Sequence, residues 1–134
     1  MNKPLFFMAA TLMALGLNIA NPALAAAPTI EIIAMPHPPV TMALAPLRAW
    51  LVSKKITVIE TDAESRKGLQ KLEAVGLRGH IPIVILIDGS YRQKLKDGRQ
   101  VEWVNFPNID SAPPAVRGKW TIAEIQSVLT ERIK

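Results

Sequence analysis

The chain has 134 residues, 49% of them hydrophobic, with a formal net charge of +5 and no cysteine. Without a thiolate it performs no thiol–disulfide exchange and forms no disulfide, so packing alone must hold its fold together. The mild, dispersed positive charge gives no argument for a nucleic-acid partner.

The leading stretch "MNKPLFFMAATLMALGLNIANPALA" has the order of a secretory signal peptide. Lys3 supplies the positive region, residues 5–19 the apolar run, and Ala23, Leu24 and Ala25 a small-x-small cleavage site. The run is shorter than the ~20 residues that span a bilayer, and Asn18, Asn21 and Pro22 interrupt its end. The expectation is cleavage after residue 25, one domain over 26–134, and a periplasmic or secreted location without a stable membrane anchor. A lipoprotein anchor would need a cysteine. Cleavage removes one base, Lys3, and leaves fifteen basic against eleven acidic residues, a net +4.

"TIEIIAM" (29–35) is short, apolar and β-branched, and predicts a buried strand. "VTMALAPLRAWLV" (40–52) has helical spacing, with Leu44, Leu47 and Leu51 on one face and Met42, Ala43 and Trp50 beside it. Thr41 is the expected cap, with Pro39 before it, and Pro46 falls inside the pattern, where a missing N–H predicts a kink. "KITVIETD" (55–62) predicts a second strand, and Thr61 with Glu64 a capping box for a helix that buries Leu69, Leu72 and Val75 and ends at Gly76.

"HIPIVILIDG" (80–89) is the strongest strand signal. The unbroken apolar run 81–87 predicts a strand covered on both faces, with Pro82 at its start. Asp88-Gly89 and Asp97-Gly98 are hairpin signals that delimit strand candidates at 91–96 and 99–106. Arg92, Lys94 and Lys96 alternate onto one face, as a solvated or guarded edge does. A proline-rich loop covers 107–119, and Thr121 with Glu124 opens a last helix with Ile122, Ile125, Val128 and Leu129 inward. Trp50, Trp103 and Trp120 are expected in the core, with Trp120 stapling the last helix. The order β-α-β-α-β-β-(β)-α predicts an α/β fold, a three-layer sandwich of a mixed β-sheet flanked by helices.

Three local matches resemble the thioredoxin family. The strand–loop–helix at 30–52, with "ALAPLRAWL" and its Pro46, is similar to the family's active-site element. "VGLRGHIPIVILIDG" (75–89) resembles its G-(V/I)-R-G-(I/V)-P-T segment with one extra residue, His80. The final capped helix falls where the family has its last one. The resemblance implies a thioredoxin-like fold over 29–134 and a cis peptide bond before Pro82. At the positions of the two family cysteines stand Pro38 and Thr41, or His37 and Val40 in the neighbouring register, so no catalytic residue carries over and no redox activity is expected.

What the resemblance leaves is recognition. The backbone of Ile81, just before Pro82, would pair with an extended segment by strand addition. Pro36, His37, Pro38, Pro39 and Val40 would form one lip of that site, and His80, Ile81 and Pro82 the other. The expected partner is a periplasmic protein or an extended peptide, and no cofactor is expected. An alternative reading places a metal, copper, between His37 and His80 with Met35 and Met42 nearby, since imidazole and thioether suit it. A non-thiol enzyme is the third reading. Its serines are scattered outside any nucleophile motif, and His37 or His80 with Asp88 or Glu60 has no demanding spacing.

Overall fold

The computed structural model describes residues 27–133. The expected signal peptide lies outside the described residues. The elements are β1 (Ile30–Ala34), α1 (Pro38–Ser53), β2 (Val58–Asp62), α2 (Arg66–Ala74), β3 (Ile83–Ile87), β4 (Arg92–Lys94), β5 (Gln100–Glu102), a 3₁₀ turn (Pro114–Val116) and α3 (Ile122–Arg132). This is the expected order. The fold is α/β, with a mixed three-stranded sheet and three helices.

The sheet runs β2-β1-β3. β1 and β2 are parallel, with Ile32 opposite Glu60 and Ile33 opposite Thr61. β3 is antiparallel to β1, with Ala34 opposite Ile83. Residues 103–105 extend the sheet beyond β3: Ile85 N–H donates to Trp103 C=O (3.0 Å) and Asn105 N–H to Ile83 C=O (2.8 Å). β3 thus has chain on both in-plane sides, and all five of its residues are buried. The hairpin β4–β5 forms a separate ribbon.

Ion pairs show which helix covers which face. Glu31 and Ile33 share one face of β1, because side chains alternate. Glu31 is bound there by Lys71 of α2 and by the Thr61 hydroxyl of β2. On the other face, Arg48 of α1 grips Glu60 through two bonds, 2.9 and 3.0 Å. α2 and α1 therefore lie on opposite faces of the sheet. α1 packs on α3. Gly68 is what lets α2 lie so close: a Cβ there would stand 2.1 Å from the Asp62 carbonyl oxygen.

Helix boundaries differ from the sequence expectation in two places. α1 begins at Pro38 and its cap is His37, not Thr41. Two prolines at the first two helical positions cost no bond, because those N–H groups have no partner inside a helix. Thr41 instead makes the first intrahelical bond, donating to His37 C=O at 3.0 Å. α2 is capped by Ser65, whose hydroxyl accepts from Gly68 N–H at 3.0 Å, not by Thr61. Thr61 belongs to β2 and is buried there, so its side chain is held by the sheet. The end of α2 is as expected. Gly76 has φ +80°, and the bonds Gly76 N–H to Glu73 C=O and Leu77 N–H to Leu72 C=O close a Schellman motif.

Strand limits are shorter than the apolar runs suggested. β2 starts at Val58 and β3 at Ile83. The peptide bond before Pro82 is trans, like every other described bond, which corrects the cis bond implied by the family resemblance. The chain bends at Gly79 and Pro82 as it enters β3, and Pro82 C=O accepts from Met35 N–H at 2.9 Å. The trans isomer is the intrinsically favoured one, and the Met35–Pro82 bond forms with it.

One hydrophobic cluster contains the buried residues of β1, α1, β3 and α3 together with Trp103 and Trp120. The two indoles meet edge to face at 5.9 Å and 89°. Trp120 stands just before α3, whose capping box of Thr121 and Glu124 forms as expected. Trp50 is only half-buried. The 107–119 loop returns along residues 106–108: Gly118 N–H bonds Phe106 C=O (2.7 Å) and Asn108 N–H bonds Trp120 C=O (2.7 Å). Arg117 ties it by donating to the carbonyls of Asp110 and Ala112.

Candidate functional site

β1 and β2 point the same way, so their carboxyl ends open on one edge of the sheet, where ligands of open α/β sheets bind. Three loops meet there: 35–37 after β1, 63–65 after β2, and 79–82 before β3. The meeting follows from the pairing, because β1 ends where β3 begins and Ala63 N–H bonds Ala34 C=O at 2.9 Å. The two loops that the resemblance set face to face are joined by the Met35–Pro82 bond.

Between these loops and α2 lies an open cleft of about 250 Å³ lined by Met35, Ala63, Glu64, Leu69, Gly79, His80 and Ile81. Leu69 and Gly79 also line a second cleft of about 500 Å³, with Arg66, Leu72, Leu77 and Arg78 on its walls. The two share a wall, so they form one groove running from the carboxyl edge along α2. Its floor is apolar. Leu69, expected in the core, is 50% exposed and forms the ridge between the two parts.

The expected site residues divide. Pro36, His37, Pro38 and Pro39 are exposed and project as one lip. Val40 is buried in the first turn of α1, and Pro82 is buried just before β3, so neither presents a side chain. Ile81 is half-buried in the cleft, and its backbone makes no hydrogen bond to another backbone group among the described residues. His80 is exposed on the rim.

His37 Nε2 is 2.9 Å from Glu64 Oε1. Glu64 also lines the cleft that His80 lines, but its carboxylate bonds only His37 among the described residues. Among the described residues, no group of three or more His, Cys, Asp or Glu side chains is disposed to hold a metal ion. Met35 is buried against the core, whereas Met42 is 74% exposed on α1.

Glu64 and Leu69 are the site residues that sequence reasoning placed elsewhere. The signal for Glu64 was "TDAES", which offers two caps. Ser65 takes the capping role, its hydroxyl on Asp62 C=O at 2.6 Å, while Asp62 Oδ1 accepts from Glu64 N–H at 2.8 Å. Glu64 is then free to turn toward His37. No helix among the described residues is long and apolar enough to cross a membrane. No protein-family model, curated protein or solved structure matches the chain.

Proposed function

We propose that this chain is a redox-inert, thioredoxin-like binding module of the periplasm or the secreted fraction, and that it holds an extended segment of a partner protein at the carboxyl edge of its sheet. The observation that carries the reading is the groove: an apolar floor, a proline lip at 36–39, and the unpaired backbone of Ile81 beside it. Backbone groups without partners suit strand addition, and apolar pockets alongside select side chains. The loss of thiols leaves recognition without chemistry.

Panning a random-peptide display library against the purified chain tests this. Enriched peptides should bind the wild type and lose roughly tenfold or more in affinity to Leu69→Glu, because a charge on the groove's central ridge must be desolvated. Leu69 is half-exposed, so that variant keeps its fold. Absence of enrichment, or binding indifferent to Leu69→Glu, overturns the reading. Binding that persists in His37→Ala/His80→Ala separates it from the copper reading, which needs both imidazoles.

A further inference from the structure

β2 is the outer strand of the sheet, with β1 on one side and no strand on the other among the described residues. The ladder fixes which groups face outward. Ala63 N–H bonds Ala34 C=O, so Ala63, and by alternation Thr61 and Ile59, turn toward β1. Val58 and Glu60 turn their N–H and C=O groups to the open edge. Ile59 is 44% exposed on this strand.

The charges around the strand are sorted. Lys54 and Lys55 precede it, and Glu60, Asp62 and Glu64 lie within or just after it. Such a strand complements itself when reversed. A parallel copy would set lysines against lysines and carboxylates against carboxylates, whereas an antiparallel copy sets opposite signs together.

We propose that β2 pairs antiparallel with β2 of a second copy of this chain, about a two-fold axis through Ile59. This register puts Val58 opposite Glu60 of the second copy, and these are the residues whose backbone groups point outward. They form the hydrogen-bonded pairs. Ile59 meets Ile59 at the axis in a non-hydrogen-bonded pair, where side chains come closest. Lys54 and Lys55 reach the end of the second strand that carries Asp62 and Glu64. Glu60 keeps Arg48 and Glu64 keeps His37, whereas Asp62 has no cationic partner among the described residues and only its Oδ1 is engaged, by Glu64 N–H, so Asp62 is the carboxylate that takes the second copy's lysines most directly. The interface is isologous, as a two-fold axis requires. The sheet then runs unbroken through both copies, with the two grooves at opposite ends. This inference does not depend on what the groove binds.

Five residues of edge make a small interface, so association should depend on concentration and weaken with salt. Sedimentation over a concentration range tests it, with the wild type, Ile59→Lys and Lys54→Glu/Lys55→Glu in parallel and far-UV circular dichroism to check the fold. The expected result is a mass rising to twice the monomer in the wild type, lost in Ile59→Lys and weakened in the lysine variant. If Ile59→Lys disturbs the fold, the lysine variant decides, because both positions are exposed turn residues. A wild type that stays monomeric at low salt overturns the proposal. So does a dimer unaffected by the substitutions.

Discussion

Trp120 donates its indole N–H to the carbonyls of Val104 (3.2 Å) and Asn105 (3.3 Å), whereas the equally buried Trp103 Nε1 has no partner. An unmet buried donor costs about 1–3 kcal/mol. Replacement by Phe keeps an aromatic ring at each position, so the two substitutions should differ mainly in that bond. Trp120→Phe should destabilise the protein by roughly 1–2 kcal/mol more than Trp103→Phe, as read by urea unfolding. The burial of Trp103 was expected from its residue type alone, because its spacing from Val101 and Val104 is too irregular to assign it a face. The bonding difference was not, because both acceptors for Trp120 come from a segment fifteen or sixteen residues earlier. The same holds for Glu64. Its pairing with His37 joins loops 27 residues apart, a contact that only the closed sheet creates.

At the level of elements, the clearest sequence signals were caps and turns, since these are local. Asp88-Gly89 forms its tight turn with positive φ at both residues, 50° and 80°, and Thr121 with Glu124 forms its box. Local signals fail where two of them overlap. Thr61 and Ser65 compete for one helix start, and the sheet decides by drawing Thr61 into β2. The α3 cap supports a pH prediction. Burial alone would push the Glu124 carboxyl up, but the Arg99 guanidinium and the Thr121 N–H and hydroxyl outweigh it and hold it below the usual carboxylate range. A carboxylate more acidic when folded stabilises fully above its unfolded pKa, and that gain is lost as pH falls through the folded value. Thermal unfolding of Glu124→Gln against wild type should therefore show its largest deficit at neutral pH and a shrinking one on acidification. Thr121→Ala, which removes the reciprocal bond, should cost about 1 kcal/mol.

On the scale of the whole molecule, the α/β order and the covered β3 strand were legible because apolar runs report burial directly. The edge position of β2 was less so, since its five residues mix apolar and charged types. The groove was largely hidden: its ridge, Leu69, sits at a helical spacing that reads as core. A single cluster joins the sheet and helices, so among the described residues there is no second core to melt separately. Tryptophan fluorescence of a Trp50→Phe variant, which reports only Trp103 and Trp120, should lose its native signal at the same denaturant concentration as far-UV circular dichroism, which reports all three helices. Two separated midpoints would show that the 103–120 region unfolds independently of the sheet.

Gly68 has a consequence beyond letting α2 lie flat. Its neighbour in sequence is Leu69, so the closeness of the helix to the Asp62 carbonyl also sets how deep the ridge sits over the cleft. Helix propensity alone would favour alanine at this position, yet a single methyl would lift the helix away from the sheet and change the width of the groove. The residue acts as a spacer of zero thickness: it couples the dimension of the binding surface to backbone packing, so a wider or narrower groove could be reached by substitutions that never touch the ligand.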